Sequence, residues 1–477
     1  MKDRFKQLGK DSIIYGLGGV LAKGLGFFLL PVYTRIFTPA EYGTIEMLVV
    51  INGLLSSLLA MGMDSAQSFY FFEQKESGKT AQARLVTAIL QWRLSWGALI
   101  VLGAMVFSPL INHWFFNGLL SWKYFAVAFS GALCAQVMAQ SSEVFRLIYR
   151  PWRFIGITLL NTLLSAGVAI TLVVWLDYGI LGYFVGMLVG AFFSASFGWW
   201  LARSFLDWSE WHRDWWPKLL RFGVPLLPAG LAMYVMNTSD RWFISYYHDE
   251  TALGIYAVAA KFAMLISLAV TTFRQAWWPV AMDAMQSHDG PELFRTIGQA
   301  YLGLGSAGVL ILTALSPLLV QLFTGPAFHN AYPMVGALAW YAIFYGFFLI
   351  GSAGIWKREK TIWTTVSMAF AACLNILLDY LWVPIYGAMG AAVATSVSFL
   401  VWNVIALLIS ERLWRVGYPL VTLGFQVLLG SGICAIIISM QLRSASAWQI
   451  VTITALGVIL LLFSSIDKKY FKMWLRR

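Results

Sequence analysis

The chain has 477 residues, 60% of them apolar, with 33 basic and 22 acidic side chains, so that only 12% are charged against roughly 25% in a soluble domain. That is too little charge to coat the two or three water-facing domains a soluble chain of this length would form. A soluble enzyme is excluded and a polytopic membrane protein is implied. Apolar runs interrupted by charge or turn residues give fourteen segments in chain order: 12–34, 43–66, 85–111, 122–141, 154–176, 179–202, 220–246, 252–273, 298–323, 331–355, 361–382, 387–410, 418–440 and 446–466. The first follows a short basic tail without a small-residue cleavage site and reads as a retained span, not a signal peptide.

With the N-terminus in the cytoplasm, 26 of the 33 basic residues fall in cytoplasmic ends and loops, among them Lys75, Arg146, Arg213, Arg274 and Lys357. Only Arg35, Lys123 and Arg443 fall on the opposite side. This is the bias of the positive-inside rule, and it places both termini in the cytoplasm. It also accounts for the net charge of +11 without nucleic acid, since the cations face anionic lipid headgroups. The longest polar connection, around 203–222, repeats Trp208, Trp211 and Trp215 among charged residues and reads as an amphipathic helix in the interface.

Tyr178-Gly179-Ile-Leu-Gly182 and Tyr386-Gly387-Ala-Met-Gly390 lie 208 residues apart, each 28 residues after an arginine, Arg150 or Arg358. Chance recurrence in a chain with 41 glycines is the competing reading, but the shared position in the span order favours a repeat. The organisation is therefore a six-helix lobe over 1–205, a linker helix over 206–219, a second six-helix lobe over 220–410, and two further helices with a basic tail over 411–477. Six spans is an even number, so the repeat is parallel.

Charges inside spans are costly and mark either a cavity or an ion pair. Lys23, Arg93, Arg241 and Lys261 are the basic ones, with Arg35 at a span end; Glu46, Asp64 and Asp240 are the acids. The surplus of bases suits an anionic substrate. Asn237, Asp240 and Arg241 share one helix face. Pairing of Asp240, Asp64 and Glu46 with the bases is the competing structural reading, and ion coupling at these acids is a further one. Asp379, at i+4 from Asn375, reads as a helix-end residue. No catalytic site emerges. Glu76-Ser77-Gly78-Lys79-Thr80 imitates the end of a phosphate loop but lacks the first glycine and a preceding strand. HExxH and GxSxG are absent, the histidines sit near polar connections, and Cys134, Cys373 and Cys434 read as small buried hydrophobes. No cofactor or metal is implied.

Leu30-Pro31-Val-Tyr33-Thr-Arg35-Ile-Phe37-Thr-Pro39-Ala-Glu41-Tyr42-Gly43 resembles the opening signature of the polysaccharide-transporter flippases, the Wzx-like branch of the multidrug/oligosaccharidyl-lipid/polysaccharide superfamily. Further matches are Asp240-Arg241-Trp-Phe, Leu253-Gly254-Ile255-Tyr256 leading to Lys261, and Asn375-Ile-Leu-Leu-Asp379 followed by Pro384-Ile-Tyr-Gly387-Ala-Met-Gly390-Ala-Ala-Val-Ala-Thr395. The resemblance implies two six-helix lobes forming a V, with alternating access that carries polyprenyl-diphosphate-linked oligosaccharide across the bacterial cytoplasmic membrane for O-antigen, capsule or exopolysaccharide assembly. It implies substrate contacts at Lys23 and Lys261 by span position, and polysaccharide polymerase or assembly proteins as partners. Export of drugs or of a peptidoglycan precursor on the same fold is an alternative. A membrane-embedded glycan polymerase, ligase or acyltransferase is a more distant one.

Overall fold

The structure is a computed structural model that describes residue 24 and residues 26–465. Among them all regular structure is helical, as a bilayer demands: with no water to bond exposed backbone, each segment must satisfy its own N–H and C=O groups. Ten helices are long and apolar enough to cross a membrane, and Trp215–Leu226 with Gly230–Tyr247, bent by 46°, forms an eleventh. The first expected span, 12–34, lies largely outside the described residues. Gly26–Ile36 is a shorter apolar helix. Trp122–Leu147 is helical but carries Gln136, Gln140, Ser141, Ser142 and Glu143 in its second half. Ile362–Leu413, 52 residues long, is two helices meeting at Gly387, where φ is 57°.

The chain divides into two compact units. The first, residues 1–37 and 44–234, holds α1 (Leu30–Ile36), most of α2 (Pro39–Ala60), α3 (Met63–Glu73), α4 (Lys79–Phe116), α5 (Trp122–Leu147), α6 (Pro151–Ile170), α7 (Gly179–Leu201) and α8 (Trp215–Gly223). Helix α6 runs into a π-helical turn, Thr171–Trp175. Exposed Leu99, Leu102, Val106 and Phe107 on α4 form an apolar face suited to lipid.

The linker differs from the helix expected over 206–219: regular helix begins only at Trp215. The preceding stretch is a strap whose backbone groups are taken by α4. Thr87 Oγ1 accepts from the Asp207 N–H at 2.8 Å, Gln91 donates to the Glu210 carbonyl at 3.0 Å, and Gln91 Oε1 accepts from the His212 N–H at 3.1 Å. With these partners supplied, the strap has no need of helical bonds. Ser209, through both its hydroxyl and its N–H, holds the Asp207 carboxyl below the usual carboxylate range, and Arg84 assists.

The second unit, residues 38–43 and 235–477, holds most of α9 (Leu227–Tyr247), then α10 (Glu250–Gln286), α11 (Gly290–Phe323), α12 (Tyr332–Gly351), the short α13 (Ala353–Lys357), α14 (Ile362–Leu413), α15 (Leu420–Leu442) and α16 (Ala447–Ser465). Helix α12 is its buried axis, apolar on all sides and contacting α10, α11 and α14. Residues 38–43 join this unit through a backbone contact between two glycines. A Cβ on Gly43 would lie 3.0 Å from the Gly254 nitrogen, and one on Gly254 would lie 3.0 Å from the Gly43 nitrogen and 2.8 Å from the Pro39 carbonyl carbon. Tyr42 packs edge-on against Phe328.

The repeated turns have one backbone form. Gly179 and Gly387 have φ of 53° and 57°. A Cβ on Gly182 or Gly390 would lie 3.1 Å from the Cβ of the tyrosine four residues earlier, Tyr178 or Tyr386. Gly179 has open space around it, so Gly179→Ala meets backbone strain alone, about 1–2 kcal/mol. Gly390→Ala also drives a methyl against the Trp382 carbonyl, 2.6 Å from the new carbon. The thermal midpoint in detergent is expected to fall modestly for the first and clearly further for the second.

Candidate functional site: a charged cavity in the second unit

Helix α9 ends at Tyr247, and Asp249 caps α10 by accepting from the Ala252 N–H at 2.7 Å. The short turn returns the chain alongside itself, so that residues on either side of it face each other. Tyr256 thereby donates its hydroxyl to Asp240 Oδ2. Asp240 is also bonded by Arg241: Nη1 donates to Oδ1 at 3.0 Å and to Oδ2 at 3.3 Å. Arg241 Nη1 reaches the Asn237 carbonyl at 3.0 Å as well, and its guanidinium lies 5.6 Å from the Tyr256 ring centroid.

These groups line a cavity of about 130 Å³ together with Lys261 and Met264 of α10, Leu338 and Tyr341 of α12, and Thr395 of α14. Arg241 is matched by Asp240. Lys261, half-buried, has neither a hydrogen bond nor an ion pair among the described residues. The cavity therefore presents an ammonium whose charge no neighbouring carboxylate cancels, beside a guanidinium held in place by one.

Behind Asp240 lies a second buried carboxylate. Asp379 is fully buried, and the Ser239 hydroxyl lies 3.0 Å from its Oδ2 and 2.8 Å from Asn375 Oδ1. Asp379 Oδ1, Asn375 Nδ2 and Thr395 Oγ1 are buried without a partner among the described residues. Asp379 is thus not a helix-end residue: α14 continues through it to the break at Gly387, and packing against α9 closes it from water. Its i, i+4 spacing from Asn375 is the available sequence signal.

The other expected site residues divide differently. Lys23 lies outside the described residues. Arg93 is not available to a substrate: it is 0% exposed, bonded to Asp64 Oδ1 at 2.6 Å and to Gln136 through Oε1 at 2.7 Å and the backbone carbonyl at 3.0 Å. Three oxygens enclose that guanidinium, which makes it an interhelical tie among α3, α4 and α5. Asp64, half-exposed, is its partner. Arg35 is exposed at the end of α1 and donates to the Pro31 carbonyl at 2.9 Å, while Glu46 is buried in α2; both belong to the first unit. Asp240, Arg241 and Lys261 are the expected site residues that line the cavity of the second unit. Of the cysteines only Cys434 is buried, Cys373 being exposed. The phosphate-loop imitation, Glu76–Thr80, connects two helices, α3 and α4, with no strand before it.

The architecture is that of an all-helical, multi-pass membrane protein. It is similar to the inward closed conformation of the lipid II flippase MurJ, with a TM-score of 0.74 at 15% identity over 98% of this chain and all of that one. It is similar also to an inward-facing multidrug resistance MATE family transporter of the MOP superfamily, TM-score 0.66 at 15% identity over 83% of this chain and 94% of that one. These neighbours are transporters and flippases rather than enzymes. A family model described as polysaccharide biosynthesis protein matches residues 8–285, more than half of the sequence, and the chain belongs to that family. Protein 1 of the Lsg locus of Haemophilus influenzae is 23% identical over 286 residues, covering 58% of this chain and 66% of its own length, just under two thirds.

The two kinds of charge separate by stability. Asp240→Ala removes the buried carboxylate that Arg241 and Tyr256 both bond and is expected to destabilise by about 3–5 kcal/mol, the usual consequence of breaking a buried pair. Lys261→Gln removes a charge that has no partner among the described residues, so the thermal midpoint is expected to stay at or above the wild-type value. Thermal unfolding of the purified variants reads the difference directly.

Proposed function

We propose that the protein is a flippase that carries a polyprenyl-diphosphate-linked oligosaccharide, a repeat unit for O-antigen, capsule or exopolysaccharide, from the inner to the outer leaflet of the bacterial cytoplasmic membrane by alternating access. The observation that carries this reading is the pairing, in one cavity, of the unmatched Lys261 with the positioned Arg241. A diphosphate supplies oxygens to both: the ammonium meets it as a compact charge, the guanidinium as a planar set of donors at the cavity wall. Membership of the polysaccharide biosynthesis family supports the sugar, and the fold supports movement of a lipid-linked cargo.

The physics of such a cargo fits an intramembrane cavity that receives only the polar head. A polyprenyl tail, at about 0.8 kcal/mol per CH₂, stays in the bilayer throughout. With the cytoplasm negative, a head of charge about −2 moving outward gains roughly 4.6 kcal/mol per 100 mV. Asp240 and Asp379 give the site a place to couple that movement to a proton or a monovalent cation. Two carboxylates lie close together, and the unpartnered Asp379 Oδ1 and Thr395 Oγ1 are hard oxygen ligands. Neutralising Asp240 loosens its hold on Arg241, so the cation and the diphosphate favour each other.

A second reading is transport of a peptidoglycan precursor, favoured by the likeness to MurJ; it uses the same diphosphate contacts with a different sugar. Membrane lipids from a deletion strain distinguish the two. On the leading reading, mass spectrometry finds an accumulated polyprenyl-diphosphate oligosaccharide that wild type clears and Lys261→Ala, at normal abundance, does not. Accumulation of a peptidoglycan precursor instead selects the second reading. Neither lipid accumulating, with surface glycan intact, overturns both.

A further inference from the structure

Helix α10 carries only two basic residues, Lys261 and Arg274, and its acids, Glu250 and Asp283, lie toward its two ends. Arg274 repeats the circumstance of Lys261. It is half-buried, and among the described residues it makes no ion pair and no hydrogen bond; its Nε is buried without a partner. What holds it is an aromatic face: the guanidinium lies 4.3 Å from the ring centroid of Tyr345 on α12. A cation–π contact compensates part of the desolvation. It leaves the charge itself uncancelled, and α12 has no charged residue to supply the rest.

The two cations are joined by a polar seam through an otherwise apolar interface. Tyr345 lies one turn along α12 from Tyr341, on the same face. Tyr341 lines the cavity with Lys261, and its hydroxyl lies 3.1 Å from Ser267 Oγ of α10. Lys261, Ser267 and Arg274 thus follow one another along α10, matched on α12 by Tyr341 and then Tyr345. From Lys261 to Arg274 is 13 residues, about 20 Å of helix, running toward the end of α10 that the distribution of basic residues assigns to the cytoplasm.

We propose that Arg274 with Tyr345 forms a separate phosphate-binding station, at which a lipid-linked phosphate docks before it reaches the cavity along the α10–α12 seam. The ligand class is a phosphate ester or anhydride at the end of a lipid chain. The guanidinium takes its oxygens, and the tyrosine ring, itself backed by Trp402 and Phe399, holds the guanidinium in place. This inference rests on the reading that Lys261 and Arg241 receive a diphosphate, and it adds a second site on the way to them.

The test uses the full-length chain in phosphatidylcholine nanodiscs with geranylgeranyl diphosphate bearing a diazirine next to the diphosphate, and peptide mapping of the light-induced adducts. Two sets are expected, one around Tyr341 and one around Tyr345. Arg274→Gln should lower the Tyr345 set by about tenfold, as loss of one charge-assisted hydrogen bond would, while the Tyr341 set stays within about twofold. Arg274→Lys should restore most of the Tyr345 set. An unchanged thermal midpoint and the surviving Tyr341 adducts show that the glutamine variant is folded. Adducts at Tyr341 without any at Tyr345, or a Tyr345 set indifferent to Arg274→Gln, overturn the station and leave the proposed function standing. Absence of both sets overturns that function as well. Phosphatidylglycerol added to the nanodisc separates the sources. If it leaves the Tyr345 adducts in place, the station takes the diphosphate; if it removes them alone, Arg274 is a site for bilayer headgroups and the route fails.

Discussion

A cation taken from water into the interior of a membrane protein needs compensation, and the form that compensation takes decides what each charged residue does here. Arg93 is compensated most fully, by the Asp64 carboxylate and two oxygens of Gln136, with only its Nε left without a partner among the described residues, and so contributes rigidity to the first unit. Arg241 is compensated by a carboxylate that is itself fixed by Tyr256, so its position is set while part of the guanidinium still faces the cavity. Lys261 and Arg274 are compensated least, and they are where an anion can be received. The four residues form a graded series, from a structural tie to a binding group, distinguished by how many oxygens surround each nitrogen.

The geometry that sorts them comes from ordinary helical devices. A capped hairpin between α9 and α10 brings Asp240 and Tyr256 face to face. The buried helix α12 supplies a rigid apolar wall on which tyrosines are the polar interruptions. Helix α14, broken at Gly387, returns Thr395 to the same cavity that its first half approaches with Asn375 and Asp379 nearby. Rigid elements carry every side chain of the site, which is what precise recognition of a small anionic group requires.

Much of the helical plan is legible in the sequence because lipid imposes it locally. Each span must be apolar over its whole length, so its limits can be read from composition alone. The turn Tyr178–Gly182 and its counterpart Tyr386–Gly390 were visible for the same reason, since a left-handed backbone position calls for glycine. What a charged side chain meets is a different kind of fact. Arg93 and Asp64 are 29 residues apart and Arg93 and Gln136 are 43 apart, and no local rule chooses between that pairing and a substrate contact. Asp379 reads from sequence as a helix-end residue because depth in a bent helix depends on where the bend falls and on what packs against it. The strap over 206–214 reads as helix because its tryptophans recur at helical spacing. Its conformation is in fact fixed by Thr87 and Gln91, more than a hundred residues earlier.

The glycine contact between residues 38–43 and α10 has a consequence for how the protein is made. The backbone that Gly43 rests against, at Gly254, is about 210 residues downstream, and at ~5–20 residues per second this is a wait of roughly 10–40 s. Throughout that interval residues 38–43 remain without the rest of the unit to which they belong, while the first unit can assemble its own core. The second unit therefore completes itself with a segment laid down well before its other helices, and the order of ribosomal synthesis is recorded in the finished fold as a delayed closure within that unit.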